Sequence, residues 1–301
     1  MNKDFELLSQ RPLVDSFLNQ ELRPLSSFSF VSIFAWSDFF DFEFKDVDGC
    51  LCVFAHGDSG SFLYLPPLGK SFNEAIIKKA FERMAASGRP QGANRIENIP
   101  RNLLSAFPQG SYNQYLKPPE YVYCKEDLIA LKGNAYKSQR HDCNCFVTRH
   151  GAYSFEAYQE ADYKGCMELF ERWAQDRGAS NSDDVYRAML QENRQVHGRL
   201  LRFSRPLGLV ARVLKAQDKI IGYTFGFPLD ENTFCVYAEI ADLTMAGTAA
   251  FMFRNFCKDE ALKPFNRINT MDDFAMPNVA RAKKAYHPSE LIISYSIALR
   301  K

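Results

Sequence analysis

The chain has no Cys-x-x-Cys pair, although it contains eight cysteines. Its nearest approaches, Cys50-Leu-Cys52 and Cys143-Asn-Cys145, lack that spacing, and its five histidines are scattered, so no zinc site is expected. An excess of charge is also missing. Lysine and arginine number 37 against 36 acidic residues, a net charge of +1. That balance neither favours nor excludes nucleic acid; any basic footprint must be local, and no DNA partner is expected. There is no long uncharged apolar run. The most apolar window, 28–44, is broken by Asp38, Asp41 and Glu43, too many charges for a transmembrane segment. Asp4 and Glu6 have no apolar run behind them, so a secretory signal is not expected and the cysteines read as reduced thiols of a cytoplasmic protein. No repeat shows at residue level.

What is present suits a globular protein. Hydrophobic residues make up 46% and charged residues 24%, which argues against disorder, and 301 residues suggest about two domains. Phe30, Val31, Phe34 and Ala35 predict a short helix over 28–36. Strand-like runs at 40–44, 50–55 and 62–65, joined by turns ending in Gly49 and Gly60, predict an antiparallel meander. An amphipathic helix over 72–87 carries Ile76, Ile77, Ala80, Phe81 and Met84 on one face. A strand at 95–99, a short helix at 102–107 and a strand at 121–123 follow. Residues 125–141 hold a break at Gly133 and a basic group, Lys132, Lys137, Arg140 and His141, which reads either as phosphate-facing or as solvated surface. A new strand at 152–155 places a boundary near residue 150, giving an N-terminal domain 1–150 and a C-terminal domain 151–301. The second half reads as helices 161–176 and 183–193, strands 207–214, 220–227 and 233–240, a helix 248–259, and strands 267–269 and 291–299. The fold class is α+β, with mixed, mainly antiparallel sheets flanked by helices.

Two stretches carry chemistry. Residues 241–249 run from a strand through a small-residue loop into a helix, whose free N–H groups can hold a pyrophosphate; ordinary strand-to-helix packing explains the same residues. Residues 269–288 gather acid, base and tyrosine. Pro277 suits a first helical turn and Pro288 stops it, predicting a helix over about 277–286. Asp272 and Asp273 precede its positive end, while Arg281, Lys283 and Lys284 approach its negative end, an order that a well-capped surface helix also explains.

Together these residues resemble the GNAT acyltransferase fold, in which the helix after a splayed strand pair binds the donor pyrophosphate. Thr244-Met-Ala-Gly247-Thr-Ala249 is similar to the donor loop Arg/Gln-x-x-Gly-x-Gly/Ala, with Thr244 replacing the leading residue. A closer likeness covers nearly the whole chain. It is to soluble proteins related to the C-terminal region of phosphatidylglycerol lysyltransferase, built as two tandem GNAT-like domains. The Ser/Phe-rich helix ending at Trp36 carries it, with Asp127, Leu128, Leu131, Gly133, Tyr136 and Arg140, then Asn269, Asp272, Asp273, Lys283, Tyr286 and Pro288. Ala275, Pro277 and Asn278 stand where relatives usually have Gly, Glu and Gly, and Ala280 takes the usual Arg position beside Arg281.

The resemblance implies transfer of an acyl or aminoacyl group from acyl-CoA or aminoacyl-tRNA to an amine or hydroxyl, with no tightly bound cofactor. The acceptor is then a small molecule or lipid headgroup. Phe225 and Gly226 would supply backbone donors where the strands splay; Thr244, Gly247, Thr248 and Ala249 would hold the donor. Asp272 or Asp273 would act as base or bind an ammonium, and Tyr286 would protonate the leaving group. Asn269, Arg281, Lys283 and Lys284 would face acceptor or phosphate. Plainer roles are open for three of them: Asp273 as helix cap, Tyr286 as buried ring, Lys283 as a side chain lying over apolar surface. The alternative is a degenerate transferase kept as a non-catalytic binding or scaffolding module.

Overall fold

The computed structural model describes residues 3–19, 25–70, 72–179 and 183–300. The chain divides into two units, one formed by residues 1–120 with 291–301, the other by 121–290. Residue 150, the boundary expected from sequence, falls inside the second unit.

In the first unit, α1 (Lys3–Ser9) and α2 (Arg11–Leu18) precede α3 (Phe30–Ala35). Ser29 starts α3 because its hydroxyl accepts the Ser32 N–H at 3.1 Å. The serines before it are buried, and Ser26 donates its N–H and hydroxyl to the Glu120 carboxylate at 2.9 and 2.6 Å. Strands β1 (Asp41–Val47), β2 (Cys50–Gly57) and β3 (Gly60–Leu63) form the expected antiparallel meander. Helix α4 (Glu74–Ala85), capped by Asn73, buries all five residues of its predicted apolar face. These pack on Cys52, Phe54, Leu63 and Phe107. Strands β4 (Ile96–Pro100) and β5 (Tyr112–Leu116) follow.

The second unit takes β6 (Glu120–Cys124) as a sheet strand, followed by α5 (Lys125–Ala130) and α6 (Lys137–Arg149). Next come β7 (Tyr153–Ala157), α7 (Tyr163–Ala179), α8 (Asp184–Arg202) and α9 (Ser204–Leu207), then the meander β8 (Val210–Ala216), β9 (Lys219–Pro228) and β10 (Thr233–Ala241). Helix α10 (Thr248–Cys257), β11 (Arg267–Asn269) and α11 (Pro277–Lys284) complete it. Its strands lie in the order β6-β11-β10-β9-β8-β7, with only β10 and β11 running parallel among these neighbours. Helix α10 packs its aromatic face on β10, where Phe253 and Phe256 meet Phe234 and Val236. Burial of such rings is a large part of what holds the helix down, about 1.5–3 kcal/mol for each.

The chain then passes through β12 (Glu290–Ile292) to β13 (Ser294–Leu299), which pairs antiparallel with both β4 and β5. The first unit's sheet therefore reads β1-β2-β3-β4-β13-β5. No helix among the described residues is long and apolar enough to cross a membrane. None of the cysteines forms a disulfide among them.

Candidate functional site

Strands β10 and β11 are paired only over Thr233–Cys235 and Arg267–Asn269. Beyond that, β10 continues to Ala241 while the chain after Asn269 turns away, so the two strands part. The turn is tightly held. The buried Asn269 accepts the Met271 N–H at 2.7 Å, and Met271, Phe274 and Ala275 all take left-handed φ values of 62°, 53° and 55°. Left-handed backbone is costly for residues with a β-carbon and needs support. Lys283 supplies it from α11, donating to the carbonyls of Thr270, Met271 (3.2 Å) and Asp272 (2.6 Å). Asp273 is buried as well: Oδ1 accepts the Ala275 N–H at 3.0 Å and Oδ2 accepts the Tyr121 hydroxyl at 2.6 Å. Asp272 accepts the Phe274 N–H at 2.9 Å. The cap of α11 is Met276, not Asp273.

Two of the three stretches that carry the family resemblance meet here. Arg140 ties to the carbonyls of Leu131 and Gly133 (2.6 Å to the latter), closing the turn after α5 where Leu131 and Gly133 have φ of 49° and 80°. From that braced turn and α6, Tyr136 donates to the Tyr286 carbonyl at 3.2 Å and Gln139 to the Ala285 carbonyl at 2.7 Å. Tyr123 adds a bond to the Lys283 carbonyl at 3.0 Å. The end of α11 is thus fixed by three side chains, and Tyr286 lays its ring edge-on against Phe253, 5.2 Å between centroids.

A residue not anticipated from sequence lies on the strand that continues past this pairing. Strand β10 carries a bulge: Val236 lies opposite Gly226 and Ala238 opposite Phe225, leaving Tyr237 as the extra residue. The bulge shifts the alternation, so that Phe234 and Val236 before it and Ala241 after it all pack with residues of α10. Glu239, two residues before Ala241, therefore shares that face. Its Oε2 is buried with no hydrogen-bond partner among the described residues. Burial pushes its pKa from 4.5 up to about 8. Tyr286 is near enough to feel it: burial first, then the Glu239 charge, drive the phenol's pKa far above its usual range. Glu239 thus lies on the part of β10 beyond its pairing with β11, near enough to Tyr286 for its charge to act on the phenol.

The remaining expected residues lie elsewhere. Phe225 and Gly226 are within β9, laddered to β8 on one side and β10 on the other, and a β-carbon on Gly226 would come 2.0 Å from the Cys235 carbonyl oxygen. The parting is between β10 and β11 instead. Thr244 is exposed, its N–H and hydroxyl donating to Asp242 at 2.9 and 2.6 Å. Gly247 has φ of 86°, and a β-carbon there would lie 2.1 Å from the Asp142 carbonyl, because α6 rests directly on this loop. Thr248 is buried with its hydroxyl on the Met245 carbonyl at 2.7 Å, and Ala249 is exposed. Arg281 and Lys284 are exposed on α11, which buries no residue. His197, to which no role is assigned, is buried with Nδ1 2.8 Å from the Tyr223 hydroxyl, and desolvation lowers its pKa to about 3.

An α+β protein with a mixed sheet, a bulged central strand and a parallel pair that opens over acid and tyrosine is defined by these features. The family model for the C-terminal region of phosphatidylglycerol lysyltransferase matches residues 20–298, and the chain belongs to that family. Among solved structures, a conserved protein of unknown function from Bacteroides thetaiotaomicron is 21% identical, with a TM-score of 0.84 and 97% of each chain covered. L-PGS from Bacillus licheniformis is 13% identical with a TM-score of 0.66, over 95% of this chain and 90% of that one. A tandem GNAT protein from the clavulanic acid biosynthesis pathway is 13% identical with a TM-score of 0.52, over 99% and 96%. At these identities the likeness is one of fold. No curated protein matches the chain.

Proposed function

We propose that this protein is an acyltransferase of tandem GNAT-like build, working in the cleft where β10 and β11 part, with an aminoacyl ester of tRNA as donor. The observation that carries the reading is the buried Glu239 Oε2, with no hydrogen-bond partner among the described residues, near Tyr286. Acyl transfer needs a base for the acceptor's proton and an acid for the leaving group. Glu239, once ionised, takes the proton from an acceptor amine or hydroxyl as it attacks the ester carbonyl. Tyr286, held protonated by burial and by the Glu239 charge, gives its proton to the departing ribose oxygen. Asp273 and Lys283 support the site by holding the loop 270–275 with their polar atoms.

The choice of donor rests on Gly247. With α6 seated on that loop, the start of α10 offers poor access for the pyrophosphate of CoA, whereas Arg281 and Lys284 stand exposed on α11 toward solvent phosphates. The family's description as a lysyltransferase agrees with an aminoacyl donor, and a lipid headgroup or a soluble amine then serves as acceptor.

The test is transfer of labelled amino acids from mixed charged tRNAs to phosphatidylglycerol vesicles or to soluble amines. Wild-type protein should form product, with a rate that rises as pH climbs through about 8 and Glu239 ionises. Glu239→Gln should lose roughly a hundredfold and the pH dependence with it. Absence of product with charged tRNA and with acyl-CoA alike would sink the reading and leave a non-catalytic binding module.

A further inference from the structure

We propose that the outer edge of β5 in the first unit pairs with the same edge of a second copy of the chain, joining two sheets across a two-fold axis. The inference makes no use of the cleft in the second unit and stands whether or not that cleft transfers an acyl group.

Strand β5 ends the first unit's sheet, with β13 on its inner side and no strand beyond it among the described residues. Two bonds at its ends fix the phase of the ladder: the Lys117 N–H donates to the Ser294 carbonyl at 3.0 Å, and the Arg300 N–H donates to the Ser111 carbonyl at 2.9 Å. In the same register Ser296 lies opposite Tyr115 and Ala298 opposite Asn113. Bonded positions alternate along an antiparallel pair, so residues 111, 113, 115 and 117 turn their main-chain groups toward β13. Tyr112, Gln114 and Leu116 turn theirs outward. The Tyr112 N–H is taken by the Pro108 carbonyl at 3.0 Å. The N–H and C=O of Gln114 and of Leu116 have no partner among the described residues.

Those groups complement themselves. Antiparallel pairing about an axis at Tyr115 sets Gln114 of each copy opposite Leu116 of the other, and the bonds between the copies then use every outward group of both residues. The next outward position, opposite Tyr112, is Pro118 of the other copy, which has no N–H. Pairing therefore ends where neither strand has a donor left to offer.

Charge and side chains favour a second copy as the occupant. Residues 102–116 hold no charged side chain. Lys117, which would face Asn113 of the other copy, is already paired with Glu97 at 3.0 Å. No like charges meet in the self-pairing. The sheet's other edge is built differently: β1 carries Asp41, Glu43, Lys45 and Asp46, a charged edge of the kind that keeps strands from joining. On β5 the exposed side chains are instead Tyr115 and Leu116, 56% and 67% accessible. At the axis the two Tyr115 residues form a non-hydrogen-bonded pair, the closer kind, with Cα atoms about 4.5 Å apart. Aromatic pairs at such positions stabilise a ladder. Leu116 lies beside Gln114 of the other copy. An edge this short buries less than a permanent interface does, so the dimer should be weak, with a dissociation constant of roughly 10–100 μM.

Sedimentation equilibrium of the full chain from roughly 1 to 500 μM tests this, with hydrogen exchange at both ends of that range. The wild type should pass from monomer to dimer, and the Gln114 and Leu116 amides should exchange more slowly in the dimer while those of β1 do not change. Tyr115→Lys sets two ammonium groups opposite each other at the axis and should weaken association roughly tenfold or more. Leu116→Pro removes an outward N–H and leaves the β13 side of the ladder intact, so it should do the same. Thermal midpoints report whether each variant keeps its fold, and the wild-type exchange pattern reads the edge without any substitution. A chain that stays monomeric at the highest concentration overturns the proposal. So does a dimer whose affinity is unchanged in the folded variants, or one that leaves the two amides unprotected. Protection of those amides by an added alternating threonine and valine peptide, with the chain itself still monomeric, would assign the edge to an extended peptide and overturn it as well.

Discussion

Glu239 carries the proposed chemistry, and its protonation also touches stability. The unfolded chain releases this proton near pH 4.5, whereas the folded protein keeps it to about pH 8. The folded form thus binds more protons between those values, and its stability is greatest at the acid end of that window and declines as pH rises through 8. Glu239→Gln, with no proton to lose, should remove that decline. Urea midpoints at pH 5, 7 and 9 should show the variant gaining on the wild type as pH rises; a constant difference would mean the carboxyl is already solvated. The residue was hard to read from sequence because strict alternation places it on the face opposite Phe234 and Val236. Only the bulge at Tyr237 brings it around, and nothing in Val-Tyr-Ala-Glu marks a bulge. Asn269, Asp273, Lys283 and Tyr286 were legible as a group through their local motif. Their roles were less so, since those depend on Tyr121, the loop carbonyls and Phe253, which are distant in sequence.

Among elements, α11 was the easiest to anticipate and α6 the hardest. Prolines at 277 and 288 bracket the first, and the helix, Pro277–Lys284, stops two residues short of the expected end. Helix α6 buries only Gln139, Cys143 and Phe146, so its apolar periodicity is faint within a polar, basic run. Yet α6 covers the loop before α10: Phe146 stacks on Phe251 at 4.3 Å, and the backbone of Asp142 and Phe146 closes on Gly247. Gly247→Ala should therefore cost on the order of 2–4 kcal/mol, combining a forbidden φ with a backbone clash. Chemical denaturation measures it directly. A loss below about 0.5 kcal/mol would show that α6 lifts off the loop with ease, reopening the start of α10 to a pyrophosphate.

At the scale of the molecule, the first unit's sheet takes β13 from outside its own continuous stretch of sequence, whereas the second unit is one continuous segment that opens with β6. Much of the helix and strand order was readable from periodicity, and the α+β class with it, but α1, α2, β5 and α6 were not. The assignment of β6 and β13 to sheets was not, because apolar strands carry no mark of their long-range partner. Truncation after Glu290 removes β13 from between β4 and β5 and leaves the facing edges of both strands without their ladder. Hydrogen exchange should then show β4 and β5 losing protection while β8, β9 and β10 retain theirs. Equal loss in both units would argue that they unfold as one.

The position of β13 also orders events during synthesis. Residues 121–290 emerge from the ribosome as one uninterrupted segment and can close their sheet as soon as they are out. The segment made first has to wait, with β4 and β5 unjoined, until more than half the chain has followed it.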